Sequence, residues 1–172
     1  PQAVYVFGTS DYDWWSEELG RELSPGTFGE NLTITELKSA GLCIGDRLVI
    51  GPVVLEVTDP RIPCVTLAAR MGDPLFVKRF RRAERPGLYC RVIREGRVRA
   101  GDRVSLVEYS GEKVPAVELF RDFFEPDLSE GTIRRHLAAP IAIRSRMEKE
   151  KQLGEVMART EKAANNNSAR TG

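Results

Sequence analysis

The sequence predicts a mainly β protein of the α+β class, with a small helical domain after the β-rich part. The first observation is a series of short β-branched runs separated by glycine and proline turns, which is typical of paired strands. The second is a change at Val114-Pro115, after which helical periodicity replaces strand-like runs. We therefore expect a β-rich domain at residues 1–112, a helical appendage at 113–160 and a disordered tail at 161–172.

The N-terminal part predicts a strand followed by a helix. Residues 3–7 are apolar and strand-like. Residues 11–23 predict a helix that Asp11 or Asp13 can cap. Its apolar stripe consists of Trp14, Trp15 and Leu19. Because the chain opens directly on strand-like residues without an initiator methionine, we expect its N-terminus to be truncated.

The middle of the chain predicts further strands and one helix. The runs at 47–50 and 53–58 meet at Gly51-Pro52, which indicates a hairpin. Asp73-Pro74 indicates the start of a helix that runs to about Arg82. The remaining strands are expected at 88–93, 97–98 and 104–107.

The C-terminal part predicts three helices, at residues 116–125, 129–138 and 140–159. Ser129 is expected to open the second helix and Pro140 the third. The first helix has an apolar face made of Leu119, Phe120, Phe123 and Phe124.

Composition excludes several classes of function. The chain of 172 residues is 41% hydrophobic and 30% charged, which suffices for one substantial core. A net charge of +1 argues against a nucleic-acid partner, and the absence of an apolar run of about 18 residues argues against a membrane span. Three widely spaced cysteines fit neither a disulfide framework nor a zinc motif, and they indicate a reducing, cytoplasmic setting.

Cys64 is the leading candidate for chemistry. It ends the segment Pro60-Arg61-Ile62-Pro63-Cys64, between a predicted strand and a helix-like run, and loops after strands commonly carry reactive side chains. The prolines fix the backbone, and the charge of Arg61 favours a thiolate. His136, the single histidine, lies in the appendage, which disfavours a cysteine–histidine nucleophile. Metal ligation, nucleophilic chemistry and simple packing all remain open from these residues alone.

The other candidate residues have simpler interpretations. Strand alternation predicts Cys90 in the core, and Cys43 is expected to be structural. His136 is expected at the surface or between helices. The segment 26–31 contains two glycines, Glu30 and Asn31, and an ordinary loop is favoured over a ligand loop on these residues alone.

A basic cluster on or after the helix at 74–82 predicts a solvated helix face. The alternative is a docking surface for an acidic electron-transfer partner or a phosphate. The cluster consists of Lys78, Arg79, Arg81, Arg82 and Arg85.

Five segments, taken in order and with their spacing, resemble the MOSC domain family, named after the C-terminal domain of molybdenum-cofactor sulfurases. The helical C-terminus is similar to the three-helix appendage of the YiiM-type branch. The segments are Phe28-Gly29-Glu30-Asn31-Leu32, Ile44-Gly45-Asp46, Pro60-Arg61-Ile62-Pro63-Cys64, Pro86 to Val92 and Gly101-Asp102.

The resemblance implies a MOSC-like β-barrel that binds the molybdenum cofactor, Mo-molybdopterin. Cys64 falls on the position of the cysteine that ligates molybdenum in the family. Arg61 and Ile62 flank that position, and Arg61 is expected to pair with the cofactor phosphate. Tyr89 falls in a further motif with a cofactor or substrate role. A loop that lines the cofactor in the family corresponds here to Phe28, Gly29, Glu30 and Asn31.

The resemblance also implies a reaction, the reduction of N-hydroxylated bases and amidoximes to amines. Because no cysteine cluster can hold an iron–sulfur centre, electrons would come from a separate flavin or iron–sulfur reductase. A homodimer is left open. Two alternatives also remain open: a sulfur carrier with a persulfide on Cys64 for metal–sulfur cluster assembly, and a non-catalytic carrier of the molybdenum cofactor.

Overall fold

A computed structural model describes residues 3–168 of the chain, with side chains described for residues 4–163. The strands of the described residues are β1 Ala3–Gly8, β2 Leu32–Ile34, β3 Arg47–Ile50, β4 Val53–Pro60, β5 Leu88–Arg94 and β6 Val104–Val107. These six strands form one curled mixed sheet, half of a barrel, in the order β2-β1-β5-β4-β3-β6. The β1–β2 pair is parallel and the other pairs are antiparallel.

Six α-helices accompany the sheet within the described residues, and the α+β class and MOSC-like arrangement are confirmed. A short 3-10 turn spans Ser39–Gly41. In the described part of the chain, none of the helices combines the length and the apolar character needed to cross a membrane. The helices are α1 Thr9–Leu19, α2 Val65–Met71, α3 Phe76–Ala83, α4 Ala116–Phe124, α5 Glu130–Ala138 and α6 Ile143–Ser168.

The sheet packs a different core on each face, because strand residues alternate between the two sides. On one side lies an aliphatic core, which includes Val6, Leu55, Val57, Leu88 and the fully buried Cys90. On the other side lies an aromatic core, which consists mainly of Tyr5, Phe7, Trp15, Phe28, Phe76, Phe80 and Phe120. The prediction that Cys90 lies in the core is confirmed.

Helix α1 begins earlier than predicted and is not capped by an aspartate. It follows β1 directly, with Gly8 as its N-cap, and it ends at Gly20 in the left-handed conformation. Asp11 lies inside the helix and is fully buried. Its carboxylate accepts hydrogen bonds from the Ser39 N–H (3.1 Å) and from Arg85 (2.9 Å). The residue predicted as a helix cap therefore links α1 to two distant segments of the chain, a role that local sequence does not reveal.

Other predicted elements also differ from those in the structure. Helix α3 begins at Phe76, because the Asp73 carboxylate accepts from the N–H of Leu75 and closes a turn before the helix. Residues 97–98 are irregular rather than a strand, and α6 begins at Ile143 rather than Pro140. The expected tail is helical as far as Ser168, and residues 169–172 lie outside the described residues.

The helical appendage packs against both cores. Leu119 of α4 belongs to the aliphatic core and Phe120 to the aromatic core. His136 of α5 is fully buried between helices, where its Nε2 lies 2.8 Å from the Glu118 carboxylate. The interhelical interpretation of this histidine is confirmed, whereas a surface position is wrong.

Candidate functional site

Cys64 lies at the junction of β4 and α2, in a loop whose prolines fix its course. Pro63 is buried, whereas Cys64 itself is exposed. Cys64 is the N-cap of α2, and its carbonyl oxygen accepts hydrogen bonds from Leu67 (3.0 Å) and Ala68 (3.2 Å). The loop therefore presents the thiol at the surface, on a backbone held by the first turn of the helix.

The surroundings of the Cys64 thiol favour its thiolate form. The backbone N–H of Leu67 has the largest effect and lowers the thiol pKa, and Thr66 and the charge of Arg61 lower it further. Burial raises the pKa of Cys43 and raises that of Cys90 to about 12. Because the thiolate is both the nucleophile and the metal ligand, Cys64 is the cysteine suited to either chemistry.

Two arginines converge on the turn at residues 26–29. Arg61 donates to the Phe28 carbonyl oxygen (2.7 Å), and its guanidinium lies 4.7 Å from the centroid of the Tyr5 ring. Arg70 of α2 donates to the Gly26 carbonyl oxygen (2.7 Å). One arginine precedes Cys64 by three residues and the other follows it by six, so the two guanidinium groups make this turn cationic.

Gly29 leaves the cationic turn open. Its φ of +80° is a conformation that glycine adopts readily, and a Cβ added there would lie 3.6 Å from Arg61 Nη1. Gly29 is exposed, and its missing side chain lets a ligand approach both the backbone and the guanidinium groups. Planar guanidinium groups bind phosphate well, which makes the turn suited to a phosphate-bearing ligand.

Glu30 organises the turn from within. Its Oε1 atom accepts hydrogen bonds from the Tyr12 hydroxyl (2.6 Å), the Gly26 N–H (2.7 Å) and the Thr33 hydroxyl (2.8 Å). Burial opposes ionisation of Glu30, but the hydrogen bonds from Tyr12 and Gly26 outweigh it and lower the pKa of the carboxyl. In this structure Glu30 supports the turn through Oε1, whereas its buried Oε2 has no hydrogen-bond partner among the described residues.

Replacing Glu30 with glutamine should reduce the free energy of unfolding by about 1–2 kcal/mol at pH 7, because hydrogen bonds to a charged acceptor become bonds to a neutral one. The folded-state pKa of Glu30 is lowered, so its contribution is complete above the unfolded value of about 4.3 and is lost as pH falls. Urea unfolding at pH 7 and pH 3.5 measures this.

The matched control for that measurement is Glu22→Gln, which removes an exposed carboxylate from the same loop. The control should change the free energy of unfolding by less than about 0.5 kcal/mol. If Glu30→Gln were as neutral as the control at both pH values, the proposed role of Glu30 in holding the turn would be wrong.

The remaining predicted site residues contact the aromatic core or the backbone of β1. The Phe28 ring is fully buried and stacks on Phe7 with centroids 4.4 Å apart, so only its carbonyl reaches Arg61. The exposed Asn31 exchanges two 2.8 Å hydrogen bonds with the backbone of Tyr5. Ile62 packs against the edge of the aromatic core, as does Tyr89, whose ring lies 5.2 Å from that of Tyr5.

The structure adds two residues that the sequence had not marked. Tyr5 lies beneath Arg61, and its hydroxyl donates to the Pro86 carbonyl oxygen (2.9 Å). Arg70 joins the turn from the last part of α2. Tyr5 lay in a strand-like run and Arg70 in a helix-like run, and neither pattern marks a residue for a site. Their contacts link segments that are distant in the chain.

The predicted basic cluster is largely neutralised by internal partners. Arg79 lies 3.4 Å from Asp73, Arg81 pairs with Glu125, and Arg85 pairs with Asp11 at 2.9 Å. Lys78 and Arg82 are exposed on α3. The expected solvated face therefore consists mostly of ion pairs with the neighbouring segments.

The sequence of this half-barrel corresponds to a known domain. A model of the MOSC domain matches residues 1–105. The chain belongs to the MOSC domain family. The resemblance drawn from the five segments is therefore confirmed, and the exposed Cys64, the cationic turn and Tyr89 all lie inside the matched MOSC region.

Two curated relatives share more than a third of their aligned residues with this MOSC chain. The uncharacterized protein YflK of Bacillus subtilis (strain 168) is 39% identical over 117 residues, 68% of this chain and 52% of YflK. A protein named "Reductase" from Gibberella moniliformis (strain M3125 / FGSC 7600) is 37% identical over 111 residues, 62% of this chain and 20% of that protein. The chain spans about half the length of YflK and a fifth of the fungal protein.

Solved structures of YiiM have the same fold. YiiM from Geobacillus stearothermophilus superposes with a TM-score of 0.80 at 26% identity, over 87% of this chain and 77% of that protein. YiiM from Escherichia coli gives a TM-score of 0.77 at 22% identity, over 88% and 77% of the two chains. Since these alignments exceed the 105 residues of the MOSC match, the similarity extends into the C-terminal helices.

Proposed function

We propose that this MOSC protein is a molybdenum-cofactor oxidoreductase that reduces N-hydroxylated compounds, such as N-hydroxylated bases and amidoximes, to amines. One observation carries the proposal. Cys64, an exposed cysteine with a lowered pKa, lies three residues after Arg61, and Arg61 donates to the glycine-containing turn at residues 26–29. A relative named as a reductase, 37% identical in the aligned region, supports redox chemistry.

The residues present fit the molybdenum cofactor by their chemistry. A thiolate is a soft ligand suited to a redox metal, and Cys64 is the exposed cysteine among the three. The cofactor carries a phosphate, and Arg61 and Arg70 offer guanidinium donors beside Gly29. Cys64 would hold the metal, the two arginines the phosphate, and Tyr89 would line the site on the side of the sheet.

The reaction requires two electrons and two protons. R–NHOH + 2 H⁺ + 2 e⁻ gives R–NH₂ + H₂O, with cleavage of the N–O bond. When bound, the cofactor would supply the two-electron redox chemistry. The protein's own residues would orient the substrate, fix the thiolate and deliver protons. A separate flavin or iron–sulfur reductase would supply the electrons, in a reducing cytoplasm in which Cys43, Cys64 and Cys90 stay free.

The test is a turnover measurement on protein purified from cells that make the molybdenum cofactor. Molybdenum is quantified per chain, and an aromatic amidoxime and an N-hydroxylated base are offered with a chemically reduced viologen as electron donor. We expect close to one molybdenum per chain and formation of the amine. A folded, molybdenum-loaded protein that forms no amine from either compound would overturn the reductase proposal and favour a cofactor carrier.

The same preparation tests the sulfur-carrier alternative. The exposed thiol of lowered pKa also suits a persulfide, because thiolates attack sulfur readily. Intact-protein mass spectrometry before and after reduction reports whether Cys64 carries one additional sulfur atom. A persulfide on Cys64 in a protein without molybdenum would replace the reductase proposal by the sulfur-carrier function.

A further inference from the structure

Asp59 is a carboxyl group on the same side of the sheet as the candidate site. It is the penultimate residue of β4, five residues before Cys64, and its Cα is paired with that of Tyr89 on β5. Directly opposed residues of antiparallel strands project to the same face of the sheet. Tyr89 packs on Tyr5, which carries the Arg61 guanidinium. Asp59 therefore shares the face of Tyr89, Tyr5 and Arg61.

The helical appendage supplies the described hydrogen-bond partner of Asp59. The Ser145 hydroxyl, in the first turn of α6, donates to Asp59 Oδ2 at 2.7 Å. The N–H of Ala142, just before α6, donates to the carbonyl oxygen of Thr58 at 3.2 Å. These two contacts fix the start of α6 over the end of β4. The helix thus covers one side of Asp59 and holds one carboxyl oxygen, which leaves Oδ1 for another partner.

None of the described cations forms an ion pair with Asp59. Two nearby arginines have other partners. Arg91 pairs with Glu56 at 2.7 Å, and Arg146 donates to the carbonyl oxygens of Leu137 in α5 and of Ala139, just after α5. The titratable and charged residues nearest to Asp59 in sequence or strand pairing on these elements are Tyr89 and Arg91 on β5, Glu56 on β4, Arg61 in the following loop, and, next to its partner Ser145, Arg144 and Arg146 on α6.

A mostly buried carboxyl group without a cationic partner keeps its proton more readily than an exposed one. Burial raises the pKa of Asp59 to about 6, although the hydrogen bond from Ser145 opposes the shift. Asp59 is therefore largely protonated in mildly acidic solution, where an exposed aspartate would be ionised. Such a group suits proton donation near its pKa.

We propose that Asp59 is the proton donor in the reduction of the N-hydroxy group, and that Ser145 positions its carboxyl group. The inference rests on the proposed function, which requires two protons for each turnover. Asp59 gives its proton to the hydroxyl oxygen as the N–O bond breaks, and this oxygen leaves as water. The nitrogen takes up the second proton from solvent, the two electrons come from the cofactor reduced by the external reductase, and Asp59 is reprotonated from solvent.

The first test is the pH dependence of turnover in Asp59→Asn, with Asp13→Asn as the matched control on the exposed face of α1. In the wild type, kcat should fall above pH 6 as the acid form is lost. Asp59→Asn should lower kcat about 100-fold, because general acid catalysis contributes at least that factor. It should also abolish the fall of kcat above pH 6, the descending limb of the pH profile, while molybdenum content stays unchanged. The control should keep both the wild-type rate and its pH profile.

Ser145→Ala tests the positioning role by a shift that a purely structural residue would not cause. Loss of the hydroxyl donor removes the interaction that lowers the Asp59 pKa, so the descending limb should move to higher pH. A Ser145→Ala variant with the wild-type limb, or with a limb moved to lower pH, would contradict this role. Ser145→Thr retains a hydroxyl group and should restore the wild-type profile.

The second test needs no turnover. ¹³C NMR of protein labelled at aspartate carboxyl groups should show one carboxyl that titrates near pH 6, and this signal should be absent in Asp59→Asn. A wild-type protein in which every aspartate titrates below about pH 4.5 would overturn the inference. If the wild type reduces the substrate and Asp59→Asn keeps its rate and pH profile, the donor assignment fails and the proposed function stands. If the wild type reduces no N-hydroxy compound, both fail.

Discussion

Replacing Cys64 with serine is expected to lower molybdenum content and the rate of amine formation by more than about 100-fold. Loss of groups that merely orient a metal ligand already costs about 10–100-fold, and this change removes the ligand that the proposed function assigns. A serine hydroxyl is not deprotonated near neutral pH and offers a hard oxygen in place of a soft sulfur. Metal analysis and the viologen-driven turnover assay report the two effects separately.

The same substitution should leave the fold intact, which keeps the experiment interpretable. Cys64 is exposed, and its carbonyl oxygen, which the substitution leaves in place, accepts the hydrogen bonds from Leu67 and Ala68 that begin α2. The free energy of unfolding should change by less than about 0.5 kcal/mol, as is usual for surface substitutions. Cys43→Ser is the matched control and should keep its molybdenum. Full molybdenum content and full activity in Cys64→Ser would show that another group ligates the metal.

A large loss of stability is expected from replacing Gly87 with alanine. Gly87 is buried just before β5 with φ +65°, and an added Cβ would lie 2.7 Å from atoms of both Phe7 and Tyr5. The left-handed conformation costs alanine about 1–2 kcal/mol, and overpacking of a filled core costs roughly 1–3 kcal/mol more. We expect the free energy of unfolding measured with urea to fall by about 2–5 kcal/mol, with displacement of the Tyr5 ring beneath Arg61.

Gly20→Ala separates the two contributions to that loss. Gly20 has almost the same φ, +63°, but no atom lies within 4 Å of the position of its added Cβ. This control should therefore lose only the conformational part, about 1–2 kcal/mol. If both variants lost the same free energy of unfolding, the close contact at Gly87 would contribute nothing, and the tight packing of Tyr5 against this turn would be disproved.

Local sequence predicted the elements whose signals are contained in a few adjacent residues. The hairpin at Gly51-Pro52 formed where two β-branched runs flank a turn. Ser129 accepts from the N–H of Thr132 and caps α5 as predicted. Cys90 is buried because strand alternation alone determines its face. The family resemblance depended on the order of several short segments, each of which would have been weak by itself.

Contacts between distant segments were not predictable in this way. Asp11 has the residue type of a helix cap, yet its carboxylate accepts hydrogen bonds from Ser39 and Arg85, which are 28 and 74 residues away. Asp59 lies in an apolar strand run, and nothing in that run indicates that Ser145, 86 residues later, will bond to it. Roles of this kind depend on which elements the fold brings together, and periodicity carries no information about that.

Tyr5 connects three loops around the candidate site. Its backbone is bonded to Asn31 of one loop, its ring carries Arg61 of a second, and its hydroxyl holds Pro86 of a third. These three loops share one attachment on β1, the strand beside the edge strand β2, so a displacement of any one of them would disturb its contact with Tyr5. Under the proposed function, such a shared attachment would favour a site of fixed shape, which binds the N-hydroxy group and leaves the rest of a larger substrate in solvent.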